Sequence, residues 1–191
     1  TVRYTDEAIE DFFNLLKHTG IYDDSIIVIM GDHEGISANH KRAMSMYLNK
    51  EEITPYDHIQ LQRVPLFIHI PGFDKGKVKS EVAGQIDMKP TLLHLLGIST
   101  ENDIYFGNDL FHDNRKGYIA LRNGDFISDD YISTSGICYD RSTGEELART
   151  SAESNEKTPC SPIQEKVEKE LSYSDAIIYG DLFRFVNFDK E

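Results

Sequence analysis

Asp32 and His33 stand side by side in Gly31-Asp32-His33-Glu34-Gly35, directly after the apolar run Ser25-Ile26-Ile27-Val28-Ile29-Met30. A carboxylate oxygen beside a neutral imidazole nitrogen is a donor pair for a divalent ion, and the mixture suits zinc or manganese better than the all-oxygen surroundings preferred by magnesium or calcium. Two donors leave a coordination sphere open, so further ligands have to come from distant sequence. The flanking glycines allow a tight loop in which an ion could approach the backbone. The same residues also have a purely structural reading, with Asp32 capping a turn and His33 a polar loop residue.

Other side chains carry chemistry with a plainer alternative beside it. His40 follows the pair by seven residues and could reach a substrate phosphate; it could equally open a surface helix. Thr91 sits in a Pro-Thr pair at a helix start and is a nucleophile by type, but that position accounts for it as a packing residue. His69 and His94 lie in apolar segments and read as satisfied core or edge histidines. Arg122 and Arg184 could each clamp a phosphate bidentately, against the simpler expectation of structural ion pairs. Glu34 could be a third ligand next to Asp32 and His33, against the divergence of neighbouring side chains on an extended segment.

The elements that position these residues follow from periodicity. Residues 5–20 have Ile9, Phe12, Phe13 and Leu16 on one helical face, a Thr5 or Asp6 start and a Gly20 stop. The run 25–30 reads as a buried strand, 40–48 as a short helix, 49–63 as a polar surface loop and 64–70 as a strand with Pro65 at its onset or edge. Residues 84–97 form a helix with an Asp87 cap, a first-turn Pro90 and a terminal Gly97. Alternation of strands and helices to this point predicts an α/β layer with a parallel or mixed sheet. Beyond Gly107 the texture changes to short β-prone pieces at 118–121, 126–127, 131–133 and 137–139, separated by Asn-Gly-Asp, Asp-Asp and Ser-Gly turns, which predicts a small antiparallel sheet. A mobile loop is expected at 143–161 and a charged helix at 164–179 with Val167, Leu171 and Ile178 inward. The tail 181–185 has enough apolar surface to dock on a core. The division that results is 1–112 and 113–191.

Charge and composition exclude some partners. Twenty Lys and Arg face 33 Asp and Glu, a formal net charge of −13, and no basic stripe follows a phosphate backbone, so nucleic acid is not an expected partner. A divalent ion can still hold an anion in an acidic protein by dominating the local field. No window is long and apolar enough to cross a bilayer, and the N-terminus lacks signal-peptide regions. Cys138 and Cys160 are too few for a disulfide framework or a zinc knuckle, and a bond between them stays open.

Five blocks in order carry a resemblance: Gly31-Asp32-His33-Glu34-Gly35-Ile36-Ser37; Gly84 through Gly97; Phe106-Gly107-Asn108-Asp109-Leu110-Phe111; Arg122-Asn123-Gly124-Asp125-Phe126-Ile127; and Gly180-Asp181-Leu182-Phe183-Arg184-Phe185. Together they resemble the carboxyl-terminal part of lipoteichoic acid synthases, polyglycerol-phosphate synthases of Gram-positive bacteria in the sulfatase and alkaline-phosphatase superfamily. The resemblance implies a sulfatase-like α/β sheet flanked by helices, with a small C-terminal antiparallel sheet and terminal helix. It implies transfer of glycerol phosphate from phosphatidylglycerol to a growing chain through a phospho-threonine-type intermediate. Asp32 and His33 would be two ligands of an ion usually described as manganese, with magnesium or zinc as alternatives. The nucleophilic Thr and a Glu ligand would belong to a preceding part of the same catalytic domain, and a membrane-embedded half of the parent chain would carry the domain on the outer face of the cell membrane, with release by cleavage as a variant. Rival readings are a phosphoethanolamine transferase, a sulfatase, or a non-catalytic paralogue that keeps the fold.

Overall fold

The computed structural model describes residues 2–37, 39–73, 75–101, 103–149 and 157–186. Its contacts divide the chain into two compact units, Thr1–Lys79 and Ser80–Glu191. The division at 112/113 read from the sequence follows a change in secondary-structure texture, whereas the contacts divide just before the segment that opens with Ser80.

The first unit begins with α1 (Val2–His18). Gly20, at φ +74°, ends it: the Ile21 N–H donates to Leu16 O at 3.0 Å, so a left-handed residue satisfies carbonyls that the helix leaves open. Phe13 packs edge-on against Tyr22, with ring centroids 6.1 Å apart. Of the rest of the expected apolar face Leu16 is half-buried, while Ile9 and Phe12 are exposed.

Strand β1 (Ile27–Met30) pairs with β2 (Leu66–His69) in register Ile27↔His69 to Met30↔Leu66. The pairing is antiparallel, where helix-strand alternation had pointed to a parallel or mixed sheet. Two helices intervene, yet the chain returns beside β1 in the opposite direction. The half-buried β1 and the exposed Met30 also depart from the fully buried strand read from its β-branched run.

Between the strands lie α2 (Lys41–Leu48) and α3 (Pro55–Leu61). The second corrects the expected surface loop at 49–63. Thr54 caps it: Thr54 Oγ1 accepts from Asp57 N at 3.2 Å, Asp57 Oδ2 accepts from Thr54 N at 3.0 Å, and Pro55 occupies a first-turn position where no N–H is needed. Lys50 adds an ion pair to Asp57 at 2.6 Å, and Ile59 is buried below.

In the second unit a 3-10 turn, Gln85–Asp87, leads into α4 (Met88–Leu95). Asp87 was expected to cap this helix with its side chain. Instead its fully buried carboxylate accepts from Gly84 N at 2.8 Å and from Asn108 N at 2.6 Å, tying the helix entrance to the 106–110 segment. Gly107 is required there, because a Cβ would fall 2.1 Å from Ile86 O.

The predicted antiparallel sheet is present as β3 (Tyr118–Ala120), β4 (Phe126–Ser128), β5 (Tyr131–Thr134), β6 (Ile137–Asp140) and β7 (Glu146–Arg149), paired in sequence order. Strand β7 lies inside the stretch expected to be a loop; residues 150–156 of that stretch fall outside the described ones. Asp140 fixes the turn before β7 by accepting from the backbone and hydroxyls of Ser142 and Thr143, which holds its carboxyl down at about 2.

Helix α5 (Ser161–Tyr179) packs against this sheet. Val167, Phe126 and Tyr118 form the core with Cys138 and Cys160, which are joined in a disulfide with Cα atoms 5.9 Å apart. Val167 is inward and Leu171 packs beside it, as expected, but Ile178 is 66% exposed. The tail forms a 3-10 turn at Leu182–Phe185 rather than docking on a core, and Phe185 remains exposed.

Candidate metal centre

Residues 31–35 leave the end of β1, so the sheet pairing that fixes Met30 also fixes where Asp32 and His33 begin. Gly31 N donates to Pro65 O at 3.0 Å, extending the strand contact by one residue. A Cβ on Gly31 would lie 2.7 Å from Val64 Cβ. Gly31 is therefore required to be glycine by the chain before β2, which crosses close by. At Gly35 a Cβ would meet nothing within 4 Å.

The Oδ1 of Asp32 and the Nε2 of His33 are 3.6 Å apart, and the two side chains are 90% and 75% exposed. Donors that each lie about 2.1 Å from one ion are separated by no more than about 4.2 Å, so the spacing fits a shared ion. The Nδ1 of His33 lies 2.8 Å from Glu34 O. When Nδ1 carries the proton and donates to that carbonyl, Nε2 keeps its lone pair on the Asp32 side, the arrangement by which a carbonyl commonly orients a ligating histidine. The Glu34 carbonyl and then the Asp32 charge hold the His33 pKa above its ordinary value. Among the described residues no group of three or more His, Cys, Asp or Glu side chains converges.

The remaining candidates are dispersed. Glu34 contributes its carbonyl to His33. His40 precedes α2 as its N-terminal boundary residue without a side-chain cap, and with Lys41, Arg42 and Met46 it lines an open surface depression. The sequence reading left aside the cationic character of that depression, although the run His40-Lys41-Arg42 was the available signal. His69 stacks on Tyr22 with centroids 4.1 Å apart, and its Nε2 lies 3.3 Å from Tyr22 O, a structural placement.

Thr91 is fully buried: its Oγ1 accepts from Leu110 N at 3.0 Å and lies 3.4 Å from Asn108 O. A hydroxyl so engaged is a packing group, as the helix position predicts. His94 pairs with Asp109 at 2.5 Å. Arg122 pairs with Asp175 on α5, and Arg184 lies exposed on the final 3-10 turn. No helix among the described residues is long and apolar enough to cross a membrane.

The sequence profile of the sulfatase family matches residues 1–98. A lipoteichoic acid synthase-like protein of Bacillus subtilis, YvgJ, is 50% identical over 187 residues, spanning 97% of this chain and 29% of that protein. The lipoteichoic acid synthase of Staphylococcus aureus is 45% identical over 185 residues, spanning 97% of this chain and 27% of its own length. The crystal structure of the lipoteichoic acid synthase LtaP from Listeria monocytogenes superposes with a TM-score of 0.73 at 27% identity, covering 92% of this chain and 44% of that one. The chain thus spans under a third of the curated relatives it matches.

Proposed function

This chain belongs to the sulfatase family, and from that premise we propose that it is the carboxyl-terminal portion of a metal-dependent glycerophosphotransferase of the lipoteichoic acid synthase type. The observation that carries the reading is the 50% and 45% identity to such proteins across 97% of the chain, a span that includes both units. The substrates are phosphatidylglycerol and the end of a growing polyglycerol-phosphate chain. The parent chain is held at the cell membrane with this portion on the outer face, a location in which the Cys138–Cys160 disulfide persists.

Within that reaction Asp32 and His33 hold a divalent ion, manganese in the first instance, with magnesium or zinc as alternatives. Such an ion lowers the cost of a threonine alkoxide and neutralises charge on phosphoryl oxygens. The chain's own residues orient the donors: Glu34 O fixes the His33 ring, and the Gly31–Pro65 hydrogen bond anchors the loop to the sheet. The Thr nucleophile and the Glu ligand belong to a preceding part of the catalytic domain, and Thr91 does not substitute for that nucleophile, being buried and hydrogen-bonded.

The test is release of diacylglycerol from phosphatidylglycerol by the whole extracellular portion of the parent protein, with Asp32→Ala and His33→Ala beside it. Metal-dependent release that both variants abolish is the expected result. Undiminished release in both removes the metal assignment. Absence of release from the unaltered protein removes the transferase reading in favour of a different sulfatase-family activity or a non-catalytic relative.

A further inference from the structure

The sequence has two cysteines, and both are used in one bond between β6 and the residue that opens α5. We propose that this bond is made by an extracytoplasmic thiol–disulfide oxidoreductase acting before α5 has docked, and that the docked helix then shields the bond from reductants. The inference stands apart from the metal pair and rests on the outer-face location proposed above.

Burial fixes the order of events. Cys138 and Cys160 are 2% and 3% exposed, packed with Tyr118, Phe126 and Val167, and Cys160 Sγ lies 3.9 Å from Ile132 O. Disulfide exchange needs a sulfur of one partner to reach a sulfur of the other directly. With Val167 wholly buried against the sheet, no protein-sized reactant reaches either sulfur, so oxidation belongs to the undocked chain. Tyr118 and Phe126, which pack with the two cysteines and Val167 once the helix is docked, are the apolar surface that a protein oxidant with an apolar cleft would engage before docking.

The exchange balances with a protein disulfide as the only co-reactant. One cysteine, as thiolate, attacks that disulfide to form a mixed disulfide and free one partner thiol. The second cysteine then attacks the mixed bond, closing Cys138–Cys160 and leaving the partner as a dithiol. Two electrons pass from the two thiols to the partner's disulfide, and the two thiol hydrogens end on the partner's sulfurs. Within this chain the two cysteines allow a single intramolecular pairing. A cytosolic thiol pool kept reduced does not supply the oxidant, which places the partner outside the cytoplasm.

Three measurements test this. The parent protein, acid-quenched from its own membrane and alkylated in denaturant, is expected to label at neither cysteine; labelling at both overturns the proposal. The folded, oxidised extracellular portion of the parent protein is expected to keep the Cys138–Cys160 bond against a dithiol reductant in native buffer under conditions that reduce it fully in concentrated urea; equal reduction in both overturns the shielding. The reduced, unfolded chain, diluted into native buffer, is expected to close its bond at least about tenfold faster with a purified oxidised thioredoxin-fold oxidase than with glutathione disulfide at the same disulfide concentration. Equal rates overturn the protein partner.

Discussion

The Nζ of Lys50 lies 2.6 Å from the Oδ1 of Asp57, a carboxylate that is 4% exposed and that also closes the capping box of α3. Burial raises the pKa of this carboxyl, but the hydrogen bonds from Lys50 and Thr54, together with the Lys50 charge, outweigh it and hold the pKa below the usual 3.8. A lowered folded-state value means that the contribution is present above the unfolded pKa and is lost as pH falls through the folded one. Urea unfolding followed from neutral pH to below 3.8 is expected to reveal an acid-side loss of stability that Asp57→Asn reduces. At neutral pH that substitution is expected to cost about 1–3 kcal/mol, because the buried carboxylate loses its charged bond to the half-exposed Lys50 and a helix cap is weakened.

Gly107 and Gly35 make opposite predictions. A Cβ at Gly107 collides with backbone, 2.1 Å from Ile86 O, while at Gly35 it meets nothing within 4 Å. Gly107→Ala is expected to cost at least about 1–3 kcal/mol, and Gly35→Ala to stay within about 0.5 kcal/mol of the unaltered chain. Thermal unfolding of both variants side by side checks the contrast.

Thr91→Val separates packing from catalysis. It removes the acceptor of the Leu110 N–H and a hydroxyl directed at Asn108 O, inside a fully buried site. The expected loss is about 1–3 kcal/mol of stability. Turnover of the parent enzyme, measured well below the melting temperature of the variant, is expected to persist.

Asp32→Ala and His33→Ala invert that pattern. Both side chains are largely exposed, so each variant of the isolated chain is expected to unfold within about 0.5 kcal/mol of the original. The isolated chain, offering two donors, is expected to bind manganese weakly by calorimetry. Tight binding would contradict the half-site reading.

Replacing both cysteines by alanine removes a cross-link between positions 22 residues apart. Chain-entropy arguments put the loss at about 3 kcal/mol. A lower denaturation midpoint of that size, with the far-ultraviolet spectrum of the sheet and helices retained, is the expected outcome.

Legibility from sequence followed the strength of local signals. Helices α1, α4 and α5 and strands β3 to β6 announced themselves through periodicity, terminal glycines or turn pairs. Helix α3 did not, because seven residues hold too little periodicity and its identity lies in the Thr54-Pro55 start and in Asp57. Strand β7, Glu146-Leu147-Ala148-Arg149, has little β propensity of its own and is drawn into the sheet by the edge of β6. The direction of β2 beside β1 depends on how two intervening helices turn the chain, which no residue of either strand records. At the candidate metal centre the closeness of Asp32 and His33 was readable because they are neighbours in sequence, while the disulfide required the approach of two elements that spacing alone does not reveal.

The sequential order of β3 to β7 sets a schedule for folding. Each strand pairs with the one just made, so every step closes a short turn at small entropic cost. The sheet can therefore assemble hairpin by hairpin in the direction in which the chain emerges from synthesis or export. Residues 161–179 follow the sheet, and their return to β3, some fifty residues back, is a slower, non-local event; Tyr118 and Glu170, 3.1 Å apart, mark its completion.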